Sequence, residues 1–132
     1  TGIKSITWQS PQTYQEIRLY VSSDGGGDWD KYVLIDDDPD HKHKTNLKLV
    51  ALGDGRLIAC WDDDRGGVYM AASTDGGKSW GKNIKVAEKS HAGSTPLDIS
   101  ADSTSGTFTL VASDIRKGAG DAIFLVKGKI VP

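Results

Sequence analysis

The chain is poor in several things, and each shortage narrows what it can be. It has one cysteine in 132 residues, so no internal disulfide forms and the sequence carries no sign of its redox compartment. That cysteine, Cys60, stands in "RLIACW", where it reads as a small core residue. No apolar run approaches the roughly 20 residues that cross a bilayer, so no membrane span is expected. No charged-then-apolar leader opens the chain, and a start at Thr1 fits a leader or a longer parent having been removed. Basic residues are not in excess: 16 Lys and Arg stand against 18 Asp and Glu, a formal charge of −2. Bulk binding to nucleic acid or an anionic membrane surface has no electrostatic basis. No stretch holds a 3.6-residue apolar period with caps, so no helix is expected. Proline is scarce at 4 residues, while glycine is abundant at 16. With 37% hydrophobic and 26% charged residues, the balance suits one globular domain, all-β with tight turns.

What is present is repetition. "SSDGGGDW" runs from Ser22 to Trp29 and "STDGGKSW" from Ser73 to Trp80. The offset of 51 residues between Asp24 and Asp75 also links Gly55 to Gly106, Asp63 to Asp114, and Arg65 to Arg116. A fixed period of this length marks a repeated supersecondary unit, with about 2.6 copies in the chain. In the middle copy, "NLKLVAL", "RLIACW", "GVYMAAS" and "NIKVAE" read as four strands, the first two joined by a Gly-Asp-Gly hairpin turn. Four antiparallel strands per fifty residues is the pattern of a propeller blade. The expected fold is therefore all-β, one domain over 1–132, with a partial blade at 1–45, a full blade at 46–90 and a partial blade at 91–132. The final "KIVP" reads as a stub of a fourth strand or as a strand lent to a neighbour.

The repeated phrase falls between the third and fourth strands of a blade. Its aspartate suits a tight loop by accepting nearby backbone N–H groups. Its glycines supply positive φ, and its tryptophan folds back to bury a large apolar face. Ser22, Asp24, Gly26 and Trp29, and again Ser73, Asp75, Gly77 and Trp80, fit Ser-x-Asp-x-Gly-x-x-Trp. The phrase resembles the Asp-box, or BNR repeat, of the sialidase superfamily, and with the 51-residue period the likeness extends over most of the chain. The resemblance implies a β-propeller in which these clasps are structural and lie away from the ligand face. It also implies an extracellular, cell-surface or virion-surface setting, and a glycan partner, with acidic sugars among the candidates.

Alternate connections in an up-and-down blade lie on opposite ends. The end opposite the clasps collects residues 9–15, 36–44, 62–67, 89–95 and 114–121. Asp-x-Arg occurs there twice, as Asp63 to Arg65 and as Asp114 to Arg116. Two arginines aimed at a shared axis would fork onto a ligand carboxylate; the bland alternative is that each Arg staples to the Asp two residues before it. The resemblance implies the first, because sialidases hold the sugar acid with three arginines from several blades. Trp61 and Tyr14 stand near the same end, Trp61 reading equally as core or as a sugar-stacking ring. The candidate ligand-binding residues are thus Arg65, Arg116, Asp63, Asp114, Trp61 and Tyr14.

Other parts of a sialidase are missing. No Arg-Ile-Pro phrase occurs, no third arginine is placed, and Tyr14 with Glu16 is a poor nucleophile pair because the two are so close in sequence. No catalytic residue is assigned, and the enzyme question stays open. "DDDPDHKHK" offers hard oxygens but lacks the spacing of a calcium loop, and it reads as a solvated acidic connection; no metal or cofactor is expected. Two and a half blades do not close a ring, which makes a homo-oligomer one way to complete it. Three functions follow: a non-catalytic carbohydrate-binding module, a piece of a sialidase-like glycosidase, or a structural unit of a surface or virion protein.

Overall fold

The computed structural model describes residues 2–9, 15–88, 96–116 and 120–131. Ten strands and no helix occur among them. They form three antiparallel sheets in chain order. Sheet 1 is β1 (Gly2–Gln9), β2 (Gln15–Ser22) and β3 (Val33–Leu34). Sheet 2 is β4 (Lys44–Gly53), β5 (Arg56–Asp63), β6 (Gly67–Ser73) and β7 (Ile84–Glu88). Sheet 3 is β8 (Pro96–Asp102), β9 (Thr107–Arg116) and β10 (Gly120–Lys129). Each strand pairs with its neighbour in sequence, so every sheet is a meander without crossovers.

Local chemistry sets the turns. β4 and β5 are joined by Asp54 and Gly55, with φ of 52° and 75°. Two successive positive φ values define the tight hairpin turn whose twist matches the flanking strands, and Asp-Gly is a favoured pair for it. The β5–β6 turn closes with Gly66 N–H donating to the Asp63 carbonyl at 3.0 Å. Gly67 must be glycine, since a Cβ there would collide with the Ala87 carbonyl; the β6–β7 ladder shifts register at the next pair.

Sheet 2 lies between the other two. All eight residues of β5 are buried, as expected of a strand covered on both faces. Leu57, Ala59 and Trp61 join Ile17, Leu19 and Ile35 of the sheet 1 segment in one core cluster. Ile58 and Cys60, alternating with them, join Ile99, Phe108, Leu110 and Ala112 of sheet 3 in a second cluster. Strand alternation thus divides one hydrophobic run between two interfaces. Each fully buried Ile or Leu contributes about 1.5–3 kcal/mol by leaving water. Cys60 is inside the second cluster, where burial pushes its thiol up to about 12. After β10 the chain does not continue as a strand. Ile130 N–H donates to Gly106 O at 3.0 Å, and Ile130 O accepts from Arg56 at 3.3 Å, so this part of "KIVP" is tied to the turns beside it.

Candidate functional site

The repeated phrase forms the same turn twice. In the first, Ser22 Oγ lies 2.7 Å from Asp24 Oδ1 and accepts the Gly26 N–H at 2.9 Å, while Asp24 accepts the Asp28 N–H at 2.9 Å. In the second, Ser73 Oγ lies 2.8 Å from Asp75 Oδ1 and accepts the Gly77 N–H at 3.0 Å, while Asp75 accepts the Ser79 N–H at 2.9 Å. Both aspartates are held below the usual carboxylate range. For Asp24 the main cause is the Asp28 N–H, then the Ser22 hydroxyl. Asp75 falls to about 2, first because of the Ser79 hydroxyl and then the Ser79 N–H. A carboxylate whose acceptor sites are spent closing a loop has little left for chemistry, which suits a structural role.

The two tryptophans do not share one environment. Trp80 packs against the cluster between sheets 1 and 2. Trp29 is 42% exposed, its ring 3.8 Å from where a Cβ on Gly26 would stand. The expectation that both indoles are pinned inside their clasps therefore describes Trp80, not Trp29.

The opposite end carries a dense polar network. Asp63 is fully buried at the end of β5. Its carboxylate accepts the Arg65 backbone N–H at 2.9 Å, Arg65 Nε at 3.0 Å, an Arg65 terminal nitrogen at 2.8 Å and Trp61 Nε1 at 2.8 Å. Arg65 also donates to Asp37 at 2.7 Å and to Asn83 at 2.9 Å, and its guanidinium lies 4.3 Å over the Tyr69 ring. Burial opposes the charge on Arg65, but its hydrogen bonds to the Asp63 and Asp37 carboxylates outweigh it and raise the pKa. Four of the five guanidinium N–H groups are used by these bonds.

Beside this network, Asp36, Asp38 and Lys44 form a buried lock inside the 36–44 connection, while Asp37, Pro39, Asp40, Lys42 and His43 are exposed, as expected of a solvated acidic segment. Lys44 Nζ is fully enclosed, 2.9 Å from Asp38 and 3.6 Å from Asp36. It also donates to Lys42 O at 2.8 Å. Asp36 accepts the Ile17 N–H, and Lys44 N–H donates to Gln15 Oε1 at 2.6 Å. The lock ties sheet 1 to β4. Burial raises the Asp38 pKa, but the Lys44 hydrogen bond and the Lys42 and Asp40 N–H groups overcome it, so the net direction is down. An ammonium already fills the space a metal would take between these carboxylates.

Among the sequence-predicted residues, Asp63, Arg65 and Trp61 come together in one cluster. Trp61 is 0% exposed, so no face of its ring is open to a ligand. Asp114 and Arg116 lie in β9, in register with Ala122 and Gly120; their side chains, like Tyr14, fall outside the described residues. Glu16 is held by Arg18, at 2.7 Å. Asp37, Asn83, Tyr69 and Lys44 were not foreseen; Asn83 is the key omission, donating to Ile35 O and accepting from both Arg65 and the Asp37 N–H. The only trace of it in the sequence is its place just before β7. No family model matches the chain, and a search of curated proteins finds none similar to it.

Proposed function

We propose that this chain is a non-catalytic carbohydrate-binding or surface-recognition module of sialidase-like propeller architecture, acting outside the cell or on a cell or virion surface. The three sheets are read as successive blades, with the 51-residue period and the twofold clasp in its support. The ligand end is the one carrying residues 62–67 and 114–121. One observation carries the preference for binding over hydrolysis. Arg65 is committed to Asp63, Asp37 and Asn83, which leaves a single N–H to offer. A sialidase-like clamp needs a bidentate grip on the sugar acid; one spare donor on a rigid guanidinium suits weak recognition, which repeated sites strengthen through multivalency.

A glycan array with the wild-type chain and the Arg65→Ala and Arg116→Ala variants tests this, alongside release of a fluorescent alcohol from a sialic acid conjugate. Binding that disappears in the variants, without turnover, is the expected result. Turnover would move the chain to the glycosidase reading. Absence of any glycan binding would leave a structural unit, a role for which the Arg65 and Lys44 networks are also suited.

A further inference from the structure

We propose that a second copy of this chain docks the outer face of its sheet 3 onto the outer face of sheet 1, head to tail. The inference rests on how the sheets stack and does not depend on sugar binding.

Leu19 of β2, Met70 of β6 and Leu125 of β10 occupy one equivalent place in the three repeats. Leu19 and Met70 are 51 apart. Met70 pairs with Cys60 and Leu125 with Val111, and Cys60 and Val111 are again 51 apart. Leu19 is 1% exposed because sheet 2 covers it, and Met70 is 7% exposed because sheet 3 covers it. Leu125, at the same place, is 63% exposed. The opposite face shows the converse. Trp80 is packed under sheet 1, while its counterpart Trp29 is 42% exposed. Tyr20, which alternates along β2 with the inward-facing Leu19, stands on the same outer face, its ring centroid 5.9 Å from that of Tyr32. A forward face and a backward face that meet inside the molecule are thus each left uncovered once among the described residues.

The inner interface shows how they fit. Gly77 of the second clasp seats so closely on Leu19 and Leu57 that a Cβ has no room. Gly26, its counterpart, has only Trp29 within reach, at 3.8 Å. Continuing the stacking places Leu125 against Gly26 as Leu19 lies against Gly77. The same register puts Lys127 where Val21 stands. The first clasp carries Asp28 and Asp30 where the second has Ser79 and Gly81. A lysine therefore replaces a valine on one surface where two carboxylates replace neutral residues on the other. Aromatic rings framed by complementary charge are typical of protein interfaces. Since the two faces differ, the contact is heterologous.

Sedimentation velocity and native mass spectrometry test the proposal, with concentration raised to about 100 μM so that a weak contact is populated. The expected result is concentration-dependent association that Leu125→Asp abolishes with an unchanged β-sheet circular dichroism spectrum. Lys127→Asp is expected to weaken association about tenfold, and Asp28→Lys in the same pair of faces to restore it. A wild-type chain that stays monomeric throughout overturns the proposal, as does a Leu125→Asp variant that associates like wild type.

Discussion

The clasp at residues 22–29 and the clasp at residues 73–80 close with the same bonds and live in different surroundings. In both, a serine hydroxyl and an aspartate bind the loop's own N–H groups at closely matching distances. Only the second is pressed against another sheet, with Gly77 on Leu19 and a half-buried Trp80 packed against the core. A turn can therefore be fully specified by eight residues while its contribution to stability is set by what lies across from it.

The largest expected contrast is at the glycines. Gly77→Ala forces a methyl into Leu19 and Leu57 on a backbone with φ of 89°, so it should cost about 3 kcal/mol or more. Gly26→Ala, with φ of 100° and only an ordinary contact to Trp29 at 3.8 Å, should cost about 1–2 kcal/mol from backbone strain alone. Urea midpoints of the two variants decide it, and equal losses would break the comparison. Next come the tryptophans. Trp80→Ala should lose about 2 kcal/mol, as truncation of a half-buried ring packed on the core, against less than about 1 kcal/mol for Trp29→Ala in the monomer. A similar loss at Trp29 would mean that its exposed face is covered in solution.

The serines should narrow the difference instead. Ser22→Ala and Ser73→Ala each remove one hydroxyl with the same partners and should each cost about 1 kcal/mol. The smallest effect concerns protons. Asp75 has the Ser79 hydroxyl on its carboxylate at 2.5 Å, where the first clasp has Asp28. Its folded pKa is depressed to about 2, so its contribution is complete above the ordinary value of 3.8 and lost as pH falls from there toward about 2. Carboxyl NMR titration should find Asp24 also depressed, and Asp28→Ser should lower it further by supplying the missing hydroxyl.

Strands and turns were legible in the sequence because their causes are local. Alternation in β4, the apolar runs of β5 and β6, Asp54-Gly55 with its positive φ, and the Ser-x-Asp-x-Gly phrase each depend on residues within a few positions of one another. The Asp63–Arg65 pair was legible for the same reason, being two residues apart. Its remaining partners were not, since Asp37 and Asn83 lie 46 residues from each other and meet only when the segment after β3 crosses the one before β7.

The sequence by itself therefore determined an all-β chain, the order of the four strands in its middle repeat, and the aspartate-to-backbone bonding of each clasp. Only the tertiary structure decided which clasp is buried, that Lys44 lies enclosed between Asp36 and Asp38 rather than in water, and how few donors Arg65 has left. The physical reason is that hydrogen bonds within a turn are fixed by short-range geometry. Burial, desolvation and ion pairing depend instead on the surface that a distant part of the chain brings into contact.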